Sequence, residues 1–129
     1  MSHEPATILL VDDEELLRAA VQEMLEMSGY KVITASNGHE ALACLNQQAI
    51  DLVITDLVMP KMDGVDLVEQ IRQIRPDLPV IVVSGSTRNI MQRYGIDSIH
   101  VPGADASLSK PFKGADLRSQ IQALLGSRT

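Results

Sequence analysis

The sequence predicts an α/β fold in which a five-stranded parallel sheet carries helices on both faces. Three observations predict it. First, the apolar runs Ile8-Leu9-Leu10-Val11, Leu52-Val53-Ile54 and Val80-Ile81-Val82-Val83 read as strands buried on both sides. Second, amphipathic stretches of helical period separate these runs, and such βαβα alternation implies parallel strands joined by crossover helices. Third, the runs end on polar groups: Asp12 and Asp13, Asp56, and Ser84. In an open parallel sheet the C-terminal ends of the strands are where ligands bind.

The elements follow in order. Thr7–Val11 forms the first strand. The next helix places Leu17, Val21, Met24 and Leu25 on one face and stops at Gly29. Lys31–Ala35 is the second strand. Asn37 caps a second helix, with Glu40 three residues later as in a capping box, and Ala41, Leu42, Leu45 and Ala49 form its inner face. Leu52–Thr55 is the third strand. Asp63-Gly64 opens a third helix with Leu67, Val68, Ile71 and Ile74 inward, and Pro76 and Pro79 separate it from the fourth strand, Val80–Val83. Arg88–Tyr94 reads as a short helix ended by Gly95. An irregular stretch from Gly95 to Gly103 follows and contains the turn signal Pro102-Gly103. Ala106–Ser109 is the fifth strand. Leu117, Ile121, Leu124 and Leu125 mark the last helix, and Gly126–Thr129 frays.

Composition limits what the chain can be. Its 129 residues suffice for one domain, expected to span 1–129 with a core over about 6–125. Trp is absent and aromatics make up 2%, so the core must come from Leu, Ile, Val, Ala and Met. A net charge of -6 argues against direct binding to nucleic acid or an anionic membrane. The single cysteine, Cys44, rules out an internal disulfide and a cysteine zinc site. No apolar stretch nears the ~20 residues that span a bilayer. Met1-Ser2-His3-Glu4-Pro5 does not read as a secretory signal, so a cytoplasmic location is expected.

Asp12, Asp13 and Asp56 brought together would repel one another, and a hard divalent cation such as Mg²⁺ removes the problem. Mg²⁺ also bridges to phosphate oxygens, so the site suits a phosphoryl group, and a carboxylate can itself accept one as an acyl phosphate. Ser84 and Lys110 would bond or neutralise the remaining oxygens. Each signal has an ordinary counterpart. Acidic residues ahead of a helix favour its dipole, an Asp after a strand is a common turn residue, and a Lys before Pro is usually a solvated charge. The combination at corresponding strand ends is what carries the reading.

The chain resembles the receiver domain of bacterial two-component response regulators. The matching residues are Ile8 to Glu14, Asp51 to Pro60, Met62-Asp63-Gly64, Pro79 to Gly85, and Gly103-Ala104-Asp105 through Lys110-Pro111-Phe112. The resemblance implies a flavodoxin-like, doubly wound sheet of order 2-1-3-4-5. It implies that Asp56 is the phosphoacceptor, served by a sensor histidine kinase or a histidine phosphotransfer protein. Asp13, Asp56 and the carbonyl of Val58 would ligate Mg²⁺ directly, and Asp12 would act through a water. Ser84 would bond a phosphoryl oxygen, Lys110 would pair with the phosphoryl group, and the Lys110-Pro111 bond would be cis. Pro60 and Gly64 would shape the loop after Asp56. Such a chain is a signalling module whose catalysis is limited to its own phosphorylation and hydrolysis.

Three positions depart from the family pattern. Ser107 stands where most signalling receivers carry Tyr or Phe, three residues before the lysine. The span from Ser84 to Lys110 is long. Val58 stands where some receivers carry a polar side chain that orients the hydrolytic water. Rival readings fare worse on the residues. A phosphatase resembling the haloacid dehalogenase family needs a second Asp two residues after the nucleophile, where this chain has Val58. A flavin-binding electron carrier needs a Ser/Thr/Gly-rich loop after the first strand, where this chain has Asp-Asp-Glu-Glu. A phosphorylation-independent interaction module stays open because of Ser107, as does a receiver cut from a hybrid histidine kinase or longer regulator. The histidines His3, His39 and His100 have no metal-binding spacing, and Cys44 reads as packing.

Overall fold

The strands β1 (Thr7–Val11), β2 (Lys31–Ala35), β3 (Leu52–Asp56), β4 (Val80–Ser84) and β5 (Ala106–Ser109) pair in parallel. They form one sheet in the order 2-1-3-4-5. The computed structural model describes residues 5–59, 62–84, 101–109 and 112–126. The helices among them are α1 (Glu15–Met27), α2 (Gly38–Gln47), α3 (Gly64–Ile74) and α4 (Gly114–Leu125). The short helix expected over Arg88–Tyr94 lies outside the described residues.

Strand alternation sorts the core into two layers. Leu9, Val11, Val53, Val80 and Val82 face α2 and α3, where Ala41, Leu45, Leu67, Val68 and Ile71 close the packing. Ile8, Leu10, Leu52, Ile54, Ile81 and Val83 face the other way, toward Leu25 of α1 and Leu117 and Ile121 of α4. The sheet is thus doubly wound, with helices on both faces, as expected.

Helix ends follow their sequence signals. Gly29 takes φ 98. Its N–H donates to Glu26 O and that of Tyr30 to Leu25 O, the paired bonds of a Schellman stop. Asn37 accepts from the Glu40 N–H at 2.9 Å, and Asp63 accepts from the Asp66 N–H at 3.0 Å. The capping box differs in one detail: Glu40 reaches back to the N–H of Ser36, not that of Asn37.

Several boundaries shift. β3 and β4 each run one residue further than expected, to Asp56 and Ser84, because Asp56 pairs with Val83 and Ser84 with Ser109. Ala49 is exposed beyond the end of α2, and Ile50 fills the core in its place. Ile74, expected inward, is 42% exposed at the last residue of α3.

The approach to β5 is held by Arg72 of α3. Its Nε donates to Gly103 O, its Nη1 to Leu78 O, and its Nη2 to Asp105 Oδ2 at 2.7 Å. The same Asp105 oxygen accepts the Val80 N–H, so α3, the start of β4 and the turn before β5 are tied at one point. That turn is the expected Pro102-Gly103, with φ 89 at Gly103.

Candidate functional site

Strand register builds the site. Val11 of β1 pairs with both Ala35 and Thr55, so the next residues, Asp12 and Asp56, emerge side by side at the C-terminal edge. Asp12, Asp56 and the exposed Asp13 each offer a carboxylate oxygen, and these atoms lie within 4.8 Å of one another. Two unit charges at that distance repel by about 1 kcal/mol in bulk water and by roughly 3–4 kcal/mol at an effective dielectric of about 20. A set of carboxylate oxygens this close is a donor set for a hard cation.

The carboxylates are held by backbone bonds. The N–H of Glu14 donates to Asp12 Oδ1 at 2.9 Å, closing an Asx turn that leads into α1. The Asp12 N–H donates to Ala35 O, and Arg18 Nη1 donates to the Asp12 carbonyl at 2.6 Å. At the second strand, the N–H of Leu57 is shared between Asp56 Oδ1 and Val83 O, both at 2.9 Å. The Asp56 carbonyl accepts from the Thr55 hydroxyl at 3.0 Å. The Gly64 N–H donates to Leu57 O at 2.6 Å, folding the loop back onto β3.

Ser84 ends the neighbouring strand. It is 2% exposed, and its Oγ has no hydrogen-bond partner among the described residues. A buried hydroxyl in that state carries a desolvation cost of ~1–3 kcal/mol that an incoming acceptor can recover. Val58, two residues past Asp56, is 40% exposed with its apolar side chain at the rim. Beneath Asp12 and Asp56, between α1 and the sheet, lies a cavity of about 10 Å³ lined by Leu17, Val21, Ile54 and Phe112. Among the described residues, the space under the carboxylates is that of about one water, far below the ~300–1,000 Å³ of an organic-ligand pocket.

The structure therefore brings Asp12, Asp13 and Asp56 together and sets Ser84 on the adjoining strand. Lys110 and Pro111, with the peptide bond between them, lie outside the described residues, as do Pro60 and His100. Ser107 is exposed on β5, paired with Val82 of β4. Two contributors were missed in the sequence, Arg18 and the Leu57 N–H. Arg18 had one available signal: it sits a single helical turn after Glu14, whose carbonyl accepts its N–H.

A sheet of order 2-1-3-4-5 with an oxygen-rich cluster outside its C-terminal edge defines a flavodoxin-like module with a cation-type donor set. The family follows from comparison: residues 8–122 match the response regulator receiver domain, and the chain belongs to that family of two-component signalling modules. It is similar to the alkaline phosphatase synthesis transcriptional regulatory protein PhoP of Bacillus subtilis, with 36% identity over 118 residues. That match covers 92% of this chain and 48% of the relative, so the chain spans about half the length of the curated relatives it matches. Among solved structures it is similar to the receiver domain of a signal transduction histidine kinase from Syntrophus aciditrophicus. The identity is 29%, the TM-score 0.80, and the coverage 95% of this chain and 91% of the other. It is also similar to the response regulator TrrA of Thermotoga maritima in complex with Mg²⁺-BeF. Here the identity is 31%, the TM-score 0.79, and the coverage 93% of this chain and 99% of the other. Among the described residues no helix is long and apolar enough to cross a membrane.

Proposed function

We propose that this chain is a phosphoacceptor module in which Asp56 takes a phosphoryl group from a phosphohistidine. The donor is a sensor histidine kinase or a histidine phosphotransfer protein. An Asp56 carboxylate oxygen attacks phosphorus, the P–N bond breaks, and the imidazole leaves with the electron pair. The product is an acyl phosphate. The single observation that carries this reading is the convergence of Asp12, Asp13 and Asp56 within 4.8 Å at the sheet edge.

The donor set fits Mg²⁺, which is all-oxygen in preference and is satisfied by one or two carboxylates with waters. Asp13, Asp56 and the Val58 carbonyl would hold it directly, and Asp12 through a water. When bound, Mg²⁺ supplies charge neutralisation for the phosphoryl oxygens. The chain's own residues do the rest. The Leu57 N–H fixes the rotamer of Asp56 through Oδ1. The buried Ser84 hydroxyl donates to a phosphoryl oxygen, and Lys110 pairs with another.

Output runs through changed protein–protein contacts in the cytoplasm and not through direct contact of this segment with nucleic acid. The net charge of -6 supports that part of the reading. Whether the segment acts alone or within a longer regulator or hybrid kinase decides its partner. The exposed Ser107, small where the family pattern has an aromatic, favours one second reading, an interaction module that signals without phosphorylation.

Intact-mass analysis after incubation with acetyl phosphate, with and without Mg²⁺, tests the proposal beside Asp56→Asn. The expected result is a Mg²⁺-dependent, hydroxylamine-labile adduct in the parent and none in the variant. Absence of both the adduct and Mg²⁺ binding in the parent would leave the second reading in its place.

A further inference from the structure

We infer that Arg18 is a positioning residue for the metal-binding turn, an inference that rests on the proposed Mg²⁺-dependent reading. Arg18 lies half-buried in the first turn of α1, and its Nη1 donates to the Asp12 carbonyl at 2.6 Å. That bond spans six residues and bridges the whole acidic turn, from the last strand-side peptide to the helix that follows. Among the described residues, the Asp12 N–H donates to Ala35 O, its carbonyl accepts from Arg18, and its Oδ1 accepts the Glu14 N–H. These bonds hold the backbone from which the adjoining, exposed Asp13 side chain projects.

The sign of the effect separates positioning from simple charge. A guanidinium beside a cation site repels the cation, so on charge alone its removal tightens Mg²⁺ binding. If Arg18 acts by holding the turn, its removal instead spreads the carboxylates and weakens binding. Residues that orient metal ligands without touching the metal typically change affinity by about 10–100-fold when removed.

The experiment is isothermal titration of Mg²⁺ into the parent chain, Arg18→Gln and Arg18→Lys, with amide exchange of Glu14 followed by NMR in metal-free protein. Arg18→Gln is expected to raise the Mg²⁺ dissociation constant about tenfold, despite the lost positive charge, and to speed Glu14 exchange. Arg18→Lys, which keeps the charge but has a shorter reach, is expected to fall between. An unchanged or tighter constant in Arg18→Gln, or in Arg18→Lys should the glutamine variant not fold, overturns the inference. Unchanged Glu14 exchange does the same. A parent that binds no Mg²⁺ refutes the proposed function, while the exchange measurement still decides whether Arg18 holds the turn.

Discussion

Gly64 is the position where one added methyl group should damage the site most directly. It is the first residue of α3, and its backbone lies against the segment that carries Asp56. A Cβ built there falls 2.5 Å from the Asp56 carbonyl oxygen, 2.8 Å from Leu57 Cα and 3.2 Å from Leu57 O. All three are backbone atoms, so no side chain can rotate away. To bring the first contact from 2.5 Å out to an acceptable 3.0 Å, the Asp56 carbonyl must retreat by the difference, half an ångström. That carbonyl is held by Thr55 Oγ1, and the next peptide by the Val83 and Gly64 bonds.

Overpacking of this kind costs ~1–3 kcal/mol, and the better helix propensity of Ala over Gly returns at most about 1 kcal/mol. A net loss of about 1–2 kcal/mol corresponds to a fall in Tm of about 3–10 °C at this chain length. The control is Gly29→Ala. Gly29 has no atom within 4 Å of an added Cβ but holds φ +98, so its cost is conformational, about 1–2 kcal/mol, and remote from the site. The chain has no Trp, so melting is followed by far-UV circular dichroism, and phosphorylation by intact mass with acetyl phosphate. Gly64→Ala should lose both stability and phosphorylation rate, and Gly29→Ala stability alone. If Gly64→Ala melts with the parent, the steric reasoning fails. If both variants lose phosphorylation in proportion to Tm, the claim that Gly64 positions Asp56 fails.

Two further predictions concern the rim of the site. Ser84→Ala removes a buried hydroxyl that no described residue satisfies, so it should leave stability unchanged or raise it by up to about 1 kcal/mol, with Tm level or higher, while slowing phosphorylation. A clear drop in Tm would mean the hydroxyl is bonded in solution. Val58→Asn places a polar side chain at a 40% exposed position two residues from Asp56, and the acyl phosphate should decay about tenfold faster through better orientation of water. Equal decay in parent and variant, timed by the loss of the mass adduct, would remove Val58 as the cause of a long-lived phosphoryl group.

The sequence was legible wherever one local rule decided the outcome. Continuous apolar runs at Ile8–Val11 and Val80–Val83 marked strands buried on both faces, and the common direction of parallel strands then gathered Asp12, Asp13 and Asp56 at one edge. Caps at Asn37 and Asp63 and the stop at Gly29 were likewise local. What depended on three-dimensional approach was not legible. Gly64 read as a helix start and, by resemblance, as a residue shaping the loop after Asp56, but nothing in Asp63-Gly64 itself reveals that the Asp56 carbonyl lies against it. Arg18 drew no reading from the sequence, because its acceptor is the Asp12 backbone carbonyl. Ile74 fits the helical period but sits in the last turn, where α3 has already left the sheet. Glu40 reaches the Ser36 N–H although the N-cap is Asn37, as the pattern expects.

The geometry also separates the chemistry from its readout. Ala106 and Leu108 of β5 pack on the layer shared with α1 and α4, so Ser107 and Ser109 face the opposite side of the strand and are exposed. Among the described residues, the register of β1 on β3 and bonds from Glu14, Leu57 and Arg18 hold the carboxylate cluster, and these come from elements other than β5. Replacing an aromatic by Ser107 therefore leaves the donor set of Asp12, Asp13 and Asp56 intact while taking a large side chain from the outer face of the edge strand. Adduct formation at Asp56 and a change in partner binding are for that reason independent measurements on this chain, and success in the first does not predict the second.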